Sequence, residues 1–306
     1  MDKYAQGVIA PTPLQLEPER GSGLSRRLRL TIIAIVIIVI VVIGIIGYAV
    51  TGLAYAQTRV GNADKTLSVV ISHQNSLNTT VADLNSKFNT LSTSPTFDPQ
   101  QARTLFQQFA AGETAAGVTD DQDDASLASS RATLSQQEWL TIVARSSLDK
   151  EAAKIDHARK ALSIAKTASA GYAQVGQFFQ TYYGVQVDFE LVSTQVASAN
   201  LAGASTTLAT MKTDVDKGLQ LSSSPGLPSE LHTLMVDLGT LVTDFGKLLS
   251  AAAANDDTAI TNAENAVQAD ADKLGTYNVD KIMGEIAAYY KPMFGTINLE
   301  MARATA

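Results

Sequence analysis

The sequence predicts an all-α protein: a single N-terminal transmembrane helix that continues into a coiled-coil-like stalk and then an extracytoplasmic antiparallel helical bundle. Three observations carry that prediction. No charged residue stands between Arg29 and Arg59, and residues 30–50 are almost unbroken Ile and Val. Beyond that run, apolar residues recur with a helical period over most of the chain. Gly and Pro fall mostly where those helical patterns end.

Residues 1–27 hold Pro11, Pro13 and Pro18 with Gly7, Gly21 and Gly23, too short and too broken to fold, and are expected to be a disordered cytoplasmic tail. Residues 28–52 form the expected membrane helix. The apolar run of residues 30–50 would span about 32 Å against a hydrocarbon core of about 30 Å. A lone segment in lipid must satisfy its own backbone, so its Ile and Val are read as helix despite their preference for strands. Arg20, Arg26, Arg27 and Arg29 precede the run, which puts the N-terminus in the cytoplasm and the rest outside the cell membrane. Ala54-Tyr55-Ala56 has the small-x-small shape of a leader cleavage site. The apolar stretch is longer than the usual leader core, however, and the expected form is an uncleaved single-pass anchor.

Residues 53–94 read as the stalk. Val60, Leu67, Gln74, Val81 and Phe88 recur every seven residues, with Ala63, Val70, Leu77, Leu84 and Leu91 between them. The stripe needs a cover, either a second copy of the chain or the later helices. Gln74 in that seam would fix register in a coiled coil or face a gap in an intramolecular bundle. Self-association through residues 60–91 is expected.

Pro95 and Pro99 end the stalk, and Asp98 before Pro99 has the form of an N-cap. Residues 95–135 are read as a short helix to about Ala111, buried through Leu105, Phe106 and Phe109, followed by a flexible acidic loop. Asp120, Asp121, Asp123 and Asp124 are its densest charge cluster. They lack the Gly and distal Glu of an EF-hand loop, so no specific calcium site is expected.

Residues 136–304 are read as the bundle. Ser135 and Glu138 have the spacing of a capping box, and Trp139 opens an apolar stripe running to Tyr183 and ending at Gly184. Residues 185–191 alternate with period two, but no second strand exists to pair with them, so they are read as helix continuing to Leu219. Residues 222–228 form a turn, Ser229 caps the next helix, residues 255–257 break it, and Asn278 or Asp280 caps the last, with Pro292 expected to kink it.

Chemistry is sparse. The chain has no Cys, which removes disulfides, thiolate metal sites and cysteine nucleophiles. His73, His157 and His232 are scattered, with Val70, Lys154 and Ser229 three residues before them, so the Glu-x-x-His signature of a di-iron bundle is missing. No phosphate-binding Gly loop or nucleophile elbow occurs. No catalytic residue, cofactor or metal is expected. Residues 57–306 carry 18 basic and 27 acidic residues, a balance of −9, which argues against nucleic acid as a partner.

Two functions fit. The first is a structural or interaction module, a scaffold or accessory part of an envelope complex. The alternative is a small-molecule sensor domain signalling through a separate membrane partner. Tyr172, Phe179, Tyr182, Tyr183 and Phe189 would line its ligand pocket if Tyr289, Tyr290 and Phe294 came to meet them. A long helical bundle behind one membrane helix resembles, in architecture alone, the ectodomains of bacterial chemoreceptors and sensor kinases. The second membrane helix and cytoplasmic output those families use are not found here.

Overall fold

A computed structural model describes residues 63–93, 97–136 and 145–306. The described residues are all-helical, with seven helices and no strand. They are α1 (Ala63–Thr93), α2 (Pro99–Gln136), α3 (Arg145–Ala197), α4 (Leu201–Leu221), α5 (Ser229–Ala254), α6 (Asp257–Leu274) and α7 (Val279–Thr305). The expected tail and membrane helix, Val60 of the stalk stripe, and Trp139 lie outside the described residues. Among the described residues, no helix is long and apolar enough to cross a membrane.

Helix α3 is the spine. Its 53 residues make it about 80 Å long, and α2, α4, α7 and, more lightly, α1 pack on it. α2 runs antiparallel along it: Arg131 meets Asp156, Asp124 meets Arg159, Asp121 meets Lys166 and Phe106 stacks on Phe179. α4 folds back on the other end, where Thr207 donates to Gln195. α5 pairs with α4, and α6 with α5, where Lys273 and Tyr277, just beyond α6, both bond Asp237. α7 returns beside α3, with Tyr290 against Tyr172 and Glu300 against His157 and Lys160. One large core joins α2–α5 and α7, and a smaller one holds Ala63, Leu67 and Val70 of α1 against Leu127, Ile155, Ala158, Leu162 and Ala304.

Local signals set several boundaries. Asp98 accepts from the backbone N–H of Gln100 and Gln101, capping α2 as expected. Asn278 caps α7 through Lys281, and Asn255 ends α5 in the left-handed conformation that Asn tolerates. Residues 185–191 are helical, inside α3. Ser229 is not a cap: the N-cap is Pro228, which makes no side-chain bond, and Ser229 is the first helical residue.

Three readings are corrected. The short helix and flexible acidic loop of residues 95–135 are one helix of 38 residues, α2, because Glu113, Ala116, Asp120, Asp123 and Leu127 form a continuous buried face under α1 and α3. Ser135 therefore lies in the last turn of α2 and does not open a new helix. Gly184 does not end α3, since Val185 and Val192 beyond it are fully buried under the α4 side of the core. The break comes instead at Ala199, which takes a positive φ, and Asn200, which caps α4 through Gly203. Pro292 lies within α7, which continues past it to Thr305.

Close approach of α2 and α3 depends on Gly176. A Cβ there would lie 2.9 Å from the Phe109 ring and 3.0 Å from the Ala110 backbone nitrogen, which has no freedom to yield. Gly176→Ala should lower stability by about 1–3 kcal/mol, the usual cost of overpacking, seen as a lower urea midpoint. An unchanged midpoint would mean the two helices are free to separate there.

Candidate functional site

The chemistry of the described residues concentrates on the buried face of α2. Phe106, Phe109, Glu113, Ala116, Asp120, Asp123 and Leu127 follow one another at three- and four-residue steps and are all buried. Three of these core positions are carboxylic acids, at 6%, 2% and 3% exposure. A buried carboxylate is costly unless it is paired or protonated, so the surroundings of each decide its state.

Glu113 sits between α2, α3 and α7, hydrogen-bonded to Ser169 and close to Asp120. Burial drives its carboxyl up to about 7, against the opposing bond from Ser169. Asp120 accepts a 2.7 Å bond from Gln74 Nε2 of α1. Burial first, and the neighbouring Asp123 and Asp121 charges in addition, raise it to about 7. Asp123 Oδ1 lies 2.9 Å from His73 Nδ1 of α1, and its Oδ2 has no hydrogen-bond partner among the described residues. Gln74 thus acts in the interior of one chain, holding α1 to α2.

Asp121 and Asp124 do something different. They project to the rim of the α2–α3 contact and pair with Lys166 at 2.6 Å and Arg159 at 2.7 Å. One acidic run is therefore split by the helical period into an inner pair facing α1 and an outer pair facing α3 cations. Among the described residues, no group of three His, Cys, Asp or Glu side chains is placed to hold a metal ion.

The other seams carry acids with the opposite behaviour. Glu300 of α7 is almost fully buried, and Lys160 and His157, hydrogen-bonded to it at 2.8 and 2.6 Å, hold it down to about 2. Burial alone would raise Asp237, but the bonds from Lys273 and Tyr277 outweigh it and bring it below the usual range. His232 faces Ser222 across the α4–α5 turn at 2.9 Å.

The aromatic residues do meet, in separate layers. Tyr172 stacks on Tyr290 at 4.1 Å and lies beside Phe294 and Phe109. Phe179 and Tyr183 both stack on Phe106. Tyr182 touches Tyr183 edge-on, and Phe189 contacts Phe245 of α5. Tyr172, Phe179 and Tyr183 are buried and Tyr182 and Phe189 half-buried, so the five spread over three contacts along α3. Tyr290 also donates to the Pro225 carbonyl, tying α7 to the α4–α5 turn. Burial raises the hydroxyls of Tyr172, Tyr183 and Tyr290, so all three remain neutral donors at physiological pH.

Sequence reasoning singled out Asp120–Asp124 but placed them in solvent, and it missed Glu113. The signal that would have found them is the continuation of the Phe106–Phe109 spacing through 113, 116, 120, 123 and 127. Comparison of the chain with protein-family models, curated proteins and solved structures finds no match.

The pH dependence follows from these groups. Glu113 and Asp120 hold protons more tightly folded than unfolded, so their contribution to stability is full below the ordinary carboxylate range. It is lost as pH rises from 3.8–4.5 to about 7. Glu300 works the other way, losing its contribution as pH falls from 4.5 towards about 2. Urea midpoints should therefore peak on the mildly acidic side and decline towards pH 8. Glu113→Gln with Asp120→Asn should flatten the alkaline decline and gain about 1–3 kcal/mol at pH 8, the scale of relieving a buried ionised group. A midpoint that rises from pH 5 to pH 8 would contradict this assignment.

Proposed function

We propose that this protein is a single-pass, membrane-anchored extracytoplasmic scaffold, a non-enzymatic helical bundle that holds or spaces protein partners at the cell envelope. The observation that carries this reading is the spine. A helix of 53 residues, about 80 Å long, packed along its length by other helices, is suited to fixing a distance and presenting long helical faces. Support for the anchor comes from the sequence: the uncharged apolar run of residues 30–50 with basic residues before it. The acidic balance of −9 after residue 56 favours a domain that stands away from an anionic lipid surface.

The sensor alternative has less support. The rings that would line its pocket contact one another and the neighbouring helices, as core aromatics do. Self-association through the stalk stripe belongs to the scaffold reading in reduced form, since Ala63, Leu67 and Val70 are already covered by α2, α3 and α7 of the same chain.

The test is topology followed by partner capture. The full chain with a C-terminal tag should remain in the membrane fraction after alkaline carbonate washing. Its tag should be digested by protease added outside the cell, and deletion of residues 28–52 should release it from the membrane. In-membrane crosslinking should then capture a reproducible partner or a second copy. A tag protected from external protease, or an N-terminus beginning at Gln57 in the mature protein, would defeat the anchored reading.

A further inference from the structure

Helix α1 is attached to the bundle by a contact that is part apolar and part polar. Its apolar contact is small: Ala63, Leu67 and Val70, helped by Ile71, meet Leu127, Ile155, Ala158, Leu162 and Ala304. Around this contact lie four polar ones. Thr66 accepts from Ser130 at 3.1 Å. Asp64 lies beside Glu151, whose buried carboxyl is raised by burial first and by Asp64 in addition. His73 meets Asp123, and Gln74 meets Asp120.

One of these contacts requires a proton. Two carboxyls hydrogen-bond only when they share one, and both ionised would repel at contact. Asp123, buried to 3% exposure, meets His73 through Oδ1, and its buried Oδ2 has no hydrogen-bond partner among the described residues. Asp120 is buried to 2% exposure beside Asp121 and Asp123, where its ionised form is disfavoured. We infer that α1 is a proton-controlled arm, docked on α2 and α3 when the buried acids beneath it are protonated and released when they are ionised.

The charges around the seam fit that reading. From α1, Asp64 faces Glu151 and His73 faces Asp123. From α2, Asp121 and Asp123 act on Asp120. On α3, Lys154 acts on Glu151, while Arg159 and Lys166 are engaged by Asp124 and Asp121 at the rim. On α7, Glu300 pairs with Lys160 of α3 and with Arg303. Full ionisation therefore leaves Asp64, Glu151, Asp120 and Asp123 as anions under α1, with Lys154 acting on Glu151. The polar side chains at core positions of α2 have a direct use on this account: they make the hold on α1 conditional.

The chain has no Cys, so two introduced cysteines can be labelled cleanly. Spin labels at Ser68→Cys on α1 and Ser163→Cys on α3, both exposed, report α1 docking in the full chain in detergent micelles. Ser163→Cys with Ala288→Cys on α7 reports the rest of the bundle. Pulsed electron–electron distances are read at about pH 5 and about pH 8.5, either side of the window set by these acids. The expected result is a narrow α1–α3 distribution at acid pH that broadens and lengthens at alkaline pH, with the α3–α7 distribution unchanged. Asp120→Asn with Glu151→Gln, which mimics the protonated acids, should keep α1 docked at both. An α1–α3 distribution that does not respond to pH overturns the inference, and so does one that broadens only together with α3–α7. If the double variant does not fold, the pH response of the parent pair decides the question alone.

Discussion

The structure rests on the continuity of α3. A helix of 53 residues cannot bury its apolar positions against a single neighbour, because its sides turn through different partners along its length. The chain answers by returning to it repeatedly. α2 lies antiparallel along much of it, α7 covers the side near Tyr172, and α4 closes the end beyond Gly184. Fully buried Ile155, Phe178, Val185 and Val192 mark those successive covers. Everything else takes its register from this helix: α5 from α4, α6 from α5, and α1 from the α2–α3 groove.

The interior is divided by how its acids are treated. Glu300 and Asp237 are buried beside cations or hydroxyl donors and stay ionised, so they lock α7 to α3 and the end of α6 to α5. Glu113, Asp120 and Asp123 have weaker compensation: one serine, one glutamine amide and one histidine. For Glu113 and Asp120, burial without a permanent cation favours the protonated form. The two groups of seams therefore respond oppositely to pH, and the one carrying α1 has only a small apolar contact to fall back on. Local stability is lowest where such contacts are few, which is where moving elements are usually found.

Much of the fold was legible from the sequence because it depends on period and local chemistry. The stripes of α4 and α5 run through Leu208, Met211 and Val215 and through Leu231, Leu234, Leu238 and Leu241, all of which are buried. Asp98 and Asn278 act as caps because a short polar side chain can reach the free N–H groups of a first turn whatever packs nearby. The expected membrane helix of residues 28–52 rests on apolar length and flanking charge alone and lies outside the described residues.

Only the tertiary structure decided the rest. Residues 112–134 have the Gly, Ser, Thr and Asp content of a loop, and their intrinsic helix preference is weak. They are helical because Ser169, Gln74 and His73, all distant in sequence, supply the partners that let Glu113, Asp120 and Asp123 enter a core. Gly184 has the form of a helix end but lies inside α3 because Val185 and Val192 beyond it are buried, and Asp214 and Arg103 occupy the space a side chain there would need. A charged residue in a sequence carries no mark of whether it will be solvated. That depends on which other helix is laid over it, and one chain's local pattern does not contain its neighbour's position.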